Sequence, residues 1–542
     1  MLARATAATP WGIDARPVQV EVDVRFGLPG VQIVGLPDAA VRESRERVQA
    51  AIRNCGVELP HRAVVVNLAP ADLRKAGNHL DLAIALALLV AHEFLQQEVL
   101  AGRLLAGELA LDGTLRPVRG ALAIADLARR EDATELLLPR ANAGEAAALE
   151  AVPTVGVASL AEALAHLRGE ATLSPAGVAE PPAAGGEAIP DLADVRGQET
   201  ARRTLEIAAA GGHNLLFIGP PGCGKTMLAR RLPGILPPLG RHEAVAVTKI
   251  HSLVAETPPS SLLRERPFRS PHPGTSTAGM VGGGAGVPRP GEASMAHCGV
   301  LFLDELPEFR RDALESLRQP LEEGRVTIVR SRAAFTFPAR FALLAAMNPC
   351  PCGFLGDPRR ECTCPPPAVE RYRGRISGPL LDRIDLQVEV APVGLSELSR
   401  GPGEPTAAVA ARVTEARERQ RRRFGVAEPA KRRVRRPARG GLRLLEAGDG
   451  NPRGTASMGA GPISAVNATL GPEALAEHCP LDAAGRRLLD TAYERLGLSA
   501  RAVHRVLKVA RTIADLAAAD QIGAAHVAEA IQYRTLDRKV EP

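Results

Sequence analysis

The stretch GPPGCGKT, residues 219–226, carries the residue types that bind nucleotide phosphates. It follows the apolar run NLLFI and leads into MLARRLPGIL, so it fits G-x-x-x-x-G-K-[ST] in the strand, loop and helix order that this motif requires. Its glycines let backbone N–H groups face phosphate oxygens, and the helix N-terminus adds partial positive charge. We expect Lys225 to contact the β- and γ-phosphates and Thr226 to coordinate Mg²⁺. This Walker A loop predicts an ATP site made by Gly219, Pro220, Pro221, Gly222, Cys223, Gly224, Lys225 and Thr226.

Two later apolar runs end in polar side chains that suit the same chemistry. GVLFLDE (299–305) ends in Asp304 and Glu305, and FALLAAMN (341–348) ends in Asn348. Short apolar runs are typical of a buried parallel sheet, whose ligands lie at the carboxyl edge. We expect Asp304 to hold Mg²⁺ through water, Glu305 to polarise the attacking water and Asn348 to orient that water.

An arginine further along the chain is a candidate for catalysis between subunits. GPLLDRIDLQVEV (378–390) places Arg383 between two acids, on a short helix or turn before a strand. An arginine without a phosphate loop of its own nearby can act on ATP bound by the next subunit. The alternative is an ordinary surface pair between an arginine and an aspartate.

Four of the eight cysteines lie in NPCPCGFLGDPRRECTCPPP (348–367), as two Cys-x-Cys pairs. Four thiolates so arranged can surround Zn²⁺. The loop is rich in proline and glycine and has little apolar material, which favours a metal ion as its stabilising element. Two alternatives stay open, namely four reduced surface thiols or a redox-active disulfide pair. The candidate ligands of this structural zinc site are Cys350, Cys352, Cys362 and Cys364.

The elements that position these residues form two α/β regions and a helical C-terminal part. The first region alternates strand-like and helical stretches, and a segment rich in Pro, Gly and Ala separates it from the second. The last part shows apolar residues at helical spacing. The predicted boundaries are 1–170, a linker at 171–190, 191–395 with the cysteine loop 350–364, and 396–542 with a basic, flexible insert at 425–462.

Composition places the chain among soluble globular proteins and favours a cytoplasmic location. The 542 residues include 45% hydrophobic and 24% charged residues, and we find neither a signal peptide nor a membrane span. The net charge is +6, but residues 412–439 alone hold twelve Lys or Arg against three Glu. Such a run attracts polyanions, unless it is merely a solvated, flexible linker.

Several long stretches resemble the Mg-chelatase-like family of AAA+ ATPases called YifB or ComM. The resemblance covers almost the whole chain. It is carried by DVRGQETARRTLEIAAAGGHNLLFIGPPGCGKTMLARRLPGILPPL, FRSPHPGTSTAGMVGGG, RPGEASMAHCGVLFLDELPEF, SGPLLDRIDLQVEV and LGLSARAVHRVLKVARTIADL. It implies an α/β fold with an N-terminal Lon-protease-like (S5-like) domain, an AAA+ P-loop core on a parallel sheet, and a C-terminal helical lid.

The same resemblance implies how the site is completed. It implies a homo-hexameric ring in which Arg383 reaches across the subunit interface and Arg501 acts as sensor 2 on the γ-phosphate. The segment 323–341 alternates on either side of Arg330-Ser331-Arg332, which predicts a β-hairpin. By resemblance this hairpin faces the ring pore, where Arg330 and Arg332 would contact DNA. The Gly-rich insert 270–291 would be a second pore element.

The Lon-like domain lacks the catalytic residues of a protease. Alignment with the Lon nucleophile segment places His79 where the serine should be, and Leu122 falls where the catalytic lysine should be. Without a nucleophile and its base there is no Ser–Lys dyad. We therefore expect a non-proteolytic domain that binds DNA or supports the ring.

The resemblance implies an ATP-driven motor on single-stranded or branched DNA, which acts as a helicase in branch migration during natural transformation and recombination. Two alternatives are a chelatase-type motor that drives metal insertion into a porphyrin and an ATP-driven protein remodeller. The expected cofactors are ATP and Mg²⁺, with structural Zn²⁺ at the cysteines. The expected partners are further copies of the chain and DNA, without a membrane.

Overall fold

The computed structural model describes residues 2–73, 75, 77–178, 189–254, 261–284, 287–330, 333–394, 397, 399, 401–425 and 466–534. The predicted linker lies partly outside these residues, as does nearly all of the predicted insert at 425–462. Arg332 also lies outside them. Within the described part of the chain, no helix combines the length and apolarity needed to cross a membrane.

The amino-terminal region folds around a seven-stranded sheet of mixed direction. The strand Asp14–Arg25 shows why: Val18, Val20, Val22 and Val24 alternate with more exposed residues, so one face of the strand packs into the core. In order across the sheet, the strands are Gly30–Val34, Ala63–Ala69, Asp14–Arg25, Leu2–Trp11, Arg103–Leu105, Glu135–Pro139 and Thr154–Val157.

Helices cover this sheet. The first begins at Asp38, whose carboxylate accepts a hydrogen bond from the Val41 N–H at 2.9 Å. The second is buried along its whole length. The helices of this region are Ala39–Asn54, Asp81–Ala91, Ala121–Arg130, Arg140–Ala147 and Leu160–Leu167, with a 3₁₀ turn at Gln97–Leu100 and a ribbon formed by Glu108–Leu109 and Leu115–Arg116.

The second region is built on a five-stranded, entirely parallel sheet. Leu215–Ile218 and Val300–Leu303 are buried at every position, as expected for strands covered by helices on both faces. These strands and Ala342–Met347 form where the sequence predicts them. In order across the sheet, the strands are Phe268–Arg269, Val300–Leu303, Ala342–Met347, Leu215–Ile218 and Leu386–Glu389.

The remaining helices surround this sheet, and the C-terminal ones share its hydrophobic core. Those within the second region are Glu199–Gly211, Lys225–Ala229, Leu232–Ile235, Arg241–Ser252, Thr277–Val281, Glu292–Met295, Arg311–Ser316, Arg318–Glu323, Pro366–Arg373 and Gly378–Leu381, with 3₁₀ turns at Leu192–Asp194 and Leu306–Glu308. Those of the C-terminal part are Thr406–Arg423, Pro472–His478, Ala483–Leu496, Ala500–Leu516 and Ala524–Gln532, with a 3₁₀ turn at Asn467–Thr469.

The predicted hairpin is present as Arg325–Arg330 paired antiparallel with Ala333–Pro338. It packs against the amino-terminal region, because the rings of Trp11 and Phe335 lie 4.9 Å apart within a shared apolar cluster. The hairpin is therefore anchored by both α/β regions. The Gly-rich insert contributes a short ribbon formed by Gly282–Gly283 and Arg289–Pro290.

The first half of the basic run is a packed helix, and the expectation that the run attracts polyanions stays a prediction. Its first half lies on Thr406–Arg423, where four arginine side chains bond to the protein itself. These side chains are committed to holding the helix on the core, and residues 426–439 lie outside the described part. The contacts are Arg412 to Glu206 and Glu404, Arg417 to the carbonyl of Ala209, Arg419 to the carbonyl of Asp515, and Arg423 to the carboxylate of Asp515.

Candidate nucleotide-binding site

The Walker A loop leaves the carboxyl end of the strand Leu215–Ile218, which lies between Ala342–Met347 and Leu386–Glu389, and enters a helix that begins at Lys225. Gly222 and Gly224 have φ of +77° and +94°, a left-handed conformation that side chains with a Cβ rarely adopt. Gly219 is needed for a different reason, since a Cβ there would lie 2.3 Å from the carbonyl oxygen of Val390. The backbone conformation at Gly222 and Gly224 and the packing at Gly219 therefore both require glycine in this turn.

Lys225 is held inside the loop. Its ammonium donates hydrogen bonds to the carbonyl oxygens of Gly219 at 2.6 Å and Pro220 at 2.9 Å, and to Oδ1 of Asn348 at 3.2 Å. Burial lowers the pKa of Lys225. The structure thus brings the predicted lysine and the predicted sensor amide together at one end of two neighbouring strands.

The predicted magnesium ligands are also adjacent. Oγ1 of Thr226 donates to Oδ2 of Asp304 at 2.7 Å, which places the hydroxyl expected to coordinate Mg²⁺ beside the carboxylate expected to hold the ion through water. Glu305 is exposed and has φ of +52°, an uncommon conformation for a residue with a side chain. Strain of this kind concentrates at functional sites, and here it accompanies the carboxylate expected to polarise water.

One contact of the Walker A loop escapes motif analysis. The Gln198 amide donates to the carbonyl oxygens of Cys223 at 3.3 Å and Ala391 at 2.6 Å, and so joins the loop to the end of the last strand. Gln198 also has a left-handed backbone, with φ of +54°. The only sequence signal is its place in DVRGQETA, just before the helix that leads to the strand Leu215–Ile218.

Arg383 and Arg501 lie at the opposite, amino edge of the sheet. Asn214, directly before the strand Leu215–Ile218, donates to the Arg383 carbonyl oxygen at 2.7 Å. Four residues of strand, about 13 Å, separate this edge from the Walker A loop. Arg383 pairs with Glu322, and Arg501 lies 3.8 Å from Asp382 with 79% of its side chain exposed. The structure therefore groups these two arginines with each other and apart from the other site residues.

The hairpin presents Arg330 at the end of its first strand. The side chain is exposed, and its guanidinium donates to the carbonyl oxygen of Gly284 in the Gly-rich insert at 2.8 Å. The two segments expected at the pore thus contact one another. Arg332 belongs to the undescribed tip, so its role stays a prediction.

The four cysteines of the loop converge, and we call them the cysteine cluster. All four sulfur atoms lie within 4.8 Å of one another, and no pair is joined as a disulfide. Sγ of Cys350 lies 3.4 Å from that of Cys352 and 3.6 Å from that of Cys362. Hydrogen bonds from backbone N–H groups lower the pKa of Cys352 to about 6, which favours its thiolate form.

The positions that align with the Lon dyad are structural in this chain. His79 is buried, bonds to Oγ1 of Thr9 at 3.2 Å, and has its pKa lowered to about 4 by burial. Leu122 is fully buried among the apolar residues of its helix. Neither position supplies an exposed nucleophile or base.

The parallel sheet, the Walker A loop and the acidic pair at the carboxyl edge define an AAA+ P-loop ATPase. Family models agree: a magnesium chelatase subunit ChlI model matches residues 191–398, a second ChlI model matches 20–142, and a model of the ChlI C-terminal part matches 403–534.

Comparison with individual relatives identifies the family within this class of ATPases. The chain is 44% identical to YifB of Salmonella typhimurium over 97% of this chain and 96% of that protein. It is 40% identical to the competence protein ComM of Haemophilus influenzae over 98% of this chain and 97% of that protein. It belongs to the Mg-chelatase-like YifB/ComM family of AAA+ ATPases. A shorter match, 30% identical over 24% of this chain and 25% of the relative, is to Lon protease 2 of Bacillus subtilis.

Proposed function

We propose that the protein is a cytoplasmic, ATP-hydrolysing homo-hexameric motor that acts on single-stranded or branched DNA, as a helicase in branch migration during natural transformation and recombination. The observation that carries the proposal is the separation of the catalytic groups. The Walker A loop lies at one edge of the sheet and Arg383 and Arg501 at the other, so one chain cannot apply both to the same ATP. A ring of like subunits brings them together.

Within each site the roles follow from the geometry. The Walker A amides and Lys225 bind the phosphates, and Asn348, already bonded to Lys225, orients the attacking water that Glu305 polarises. Thr226 and Asp304 would hold Mg²⁺, which neutralises charge on the phosphate oxygens when bound. Arg383 and Arg501 of the neighbouring subunit would stabilise the negative charge of the transition state.

Action on DNA is supported by the hairpin and by one relative. Arg330 is exposed at the end of a hairpin that both α/β regions anchor, and a cation so placed can contact phosphates without reading sequence. The ComM relative carries the name of a competence protein, and DNA uptake leads to recombination. The packed arginines of Thr406–Arg423 do not contribute to this argument.

The ChlI family matches favour a second candidate, a chelatase-type motor that drives metal insertion into a porphyrin. A protein remodeller is a third. All three candidate motors would hydrolyse ATP, but they differ in the substrate that stimulates hydrolysis. DNA stimulates only the first.

The test measures the ATPase rate with and without single-stranded or branched DNA, at low and moderate salt. We expect stimulation that declines with salt. Arg330→Ala should reduce stimulation and lower the salt slope of DNA binding by about 1. Arg325→Ala is the matched control, because Arg325 lies on the same hairpin and pairs with Glu323. Absence of both DNA stimulation and salt-sensitive DNA binding would eliminate action on DNA.

We further propose that the cysteine cluster holds a structural Zn²⁺. The donor set fits, because four sulfurs at Zn–S distances of about 2.3 Å lie about 3.8 Å apart in a tetrahedron. The sulfurs of Cys350, Cys352 and Cys362 lie 3.4 to 3.6 Å apart, and all four lie within 4.8 Å of one another. This ion would take no part in hydrolysis.

A further inference from the structure

The cysteine cluster lies directly beside the ATP site. Cys350 follows Asn348 by two residues, and Asn348 contacts the Walker A lysine. Beyond the cluster, the helix Pro366–Arg373 begins two residues after Cys364 and returns to the start of the loop, where Arg373 donates to the carbonyl oxygen of Pro349 at 3.3 Å. Both ends of the loop are therefore fixed near the sensor amide.

The middle of the loop touches the Walker A loop itself. Gly353 has φ of +88°, and a Cβ added there would lie 2.7 Å from Cδ of Pro221 and 3.9 Å from Cγ of Asn348. The backbone of the loop thus packs against the phosphate-binding turn with no room for a side chain. On the far side, Arg359 donates to the carbonyl oxygen of Val393 at 2.7 Å, two residues after the carbonyl that Gln198 bonds.

Regular secondary structure does not hold the loop in this position. Residues 351–365 form neither helix nor strand. The sulfur atoms of the cysteine cluster instead accept hydrogen bonds from the backbone of the loop. Backbone N–H groups of Leu355, Cys352 and Cys364 donate to sulfur atoms at 3.3 to 3.4 Å, the outer bonds that stabilise metal-bound thiolates.

We propose that Zn²⁺ in the cysteine cluster holds this loop against Pro221, so that bound zinc raises the affinity of the Walker A loop for nucleotide. The inference rests on the structural zinc site and the ATPase function proposed above. Because binding free energies are reciprocal, bound nucleotide also raises the affinity of the cluster for zinc by the same factor.

Two glycines of the loop make a matched pair that tests the contact without touching the ligands. Gly356 has φ of +80°, close to that of Gly353, but a Cβ added there meets nothing within 4 Å. Gly353→Ala and Gly356→Ala therefore bring similar backbone strain, and only the first drives a methyl group into Pro221. Cys362→Ser/Cys364→Ser removes two ligands, with Cys55→Ser as the control for loss of a thiol outside the cluster.

The experiment uses the full chain, purified without chelator and free of DNA. It measures zinc content, the absorption of a Co²⁺-substituted sample, and the Kd of a fluorescent ATP analogue with Mg²⁺. We expect one zinc per chain and the spectrum of tetrahedral cobalt thiolate in the parent and in both glycine variants. Nucleotide affinity should fall about fivefold or more in Gly353→Ala and in the double cysteine variant, and stay unchanged in Gly356→Ala.

Substoichiometric zinc without a cobalt–thiolate spectrum would overturn the metal site. Full zinc occupancy with equal nucleotide affinities for Gly353→Ala and Gly356→Ala would overturn the coupling while leaving the site intact. If the double cysteine variant does not fold, the glycine pair still tests the contact with Pro221, and the nucleotide affinity of the parent before and after chelation of zinc tests the effect of occupancy. Since no DNA is present, failure of DNA stimulation elsewhere leaves this result unaffected.

Discussion

The two edges of the parallel sheet collect polar side chains in different ways. At the carboxyl edge the groups bond to each other, with Lys225 on Asn348 and Thr226 on Asp304. At the amino edge the arginines pair with acids, Arg383 with Glu322 and Arg501 with Asp382, and burial together with the charges of neighbouring arginines lowers the pKa of Arg383. The arginines that act on it are Arg318, Arg501 and Arg505.

The two edges of the sheet therefore differ in what each one lacks for catalysis. The carboxyl edge is organised within one chain and requires only a nucleotide. The arginines of the amino edge repel one another although each has an acidic neighbour, and in the proposed ring a phosphate group brought by another subunit would lower that repulsion. In the proposed ring, each chain would therefore contribute two half-sites, and each half-site would be completed by a different neighbouring subunit.

The largest effect expected concerns Arg383. Arg383→Ala should lower the ATPase kcat about 10³-fold or more, because a cation that stabilises transferring phosphate is lost, while nucleotide affinity stays near the parent value. Steady-state kinetics and nucleotide binding check both parts. A change in affinity with normal kcat would place Arg383 outside the transition state.

A mixing experiment sharpens the same comparison. Lys225→Ala chains keep Arg383, and Arg383→Ala chains keep the Walker A loop, so a mixed ring contains some complete sites. We expect the mixture to hydrolyse ATP faster than either variant alone. The control is a chain that carries both substitutions, which should stay inactive because its ring contains no complete site. No gain in the mixture would mean that the two edges do not meet between subunits.

The carboxyl edge is tested by Glu305→Gln. The amide keeps the size of the side chain but cannot polarise water as a carboxylate does, so kcat should fall about 10²- to 10³-fold with ATP binding and assembly retained. The exposed Glu308→Gln on the following turn is the control, because its partner is Arg375 and not the Walker A loop. Normal turnover in Glu305→Gln would assign catalysis to another group.

Local sequence patterns predict the carboxyl edge well, because each part of it is a short segment. The buried strands, the Walker A loop and the hairpin follow from runs of residues that interact with near neighbours along the chain. Other features depend on tertiary packing. Nothing near Gln198 or Gly353 indicates that either touches the Walker A loop, and nothing near Arg412 indicates that its charge is already paired with Glu206 and Glu404.

A smaller effect is expected at Arg501, the exposed arginine at the same edge of the sheet as Arg383. Arg501→Ala should lower kcat about 10- to 100-fold, the range expected for one charge-assisted hydrogen bond to a phosphate. Arg495→Ala, an exposed arginine on the preceding helix, is the control. If Arg501 acts across the interface, Arg501→Ala chains should also be rescued by mixing with Lys225→Ala chains. Full activity of Arg501→Ala would leave Arg383 as the cation that the amino edge contributes.

The smallest effect tests how far the carboxyl edge is organised before nucleotide binds. Gln198→Asn shortens the amide so that it no longer reaches Cys223 and Ala391, and asparagine tolerates the left-handed backbone at this position. Two neutral hydrogen bonds contribute about 0.5 to 1.5 kcal/mol each, so nucleotide Kd should rise about fivefold while kcat at saturating ATP stays unchanged. Gln532→Ala, exposed at the end of the last helix, is the control. A fall in kcat at saturating ATP would instead mean that Gln198 positions the turn for catalysis, and that this edge is completed only when the nucleotide arrives.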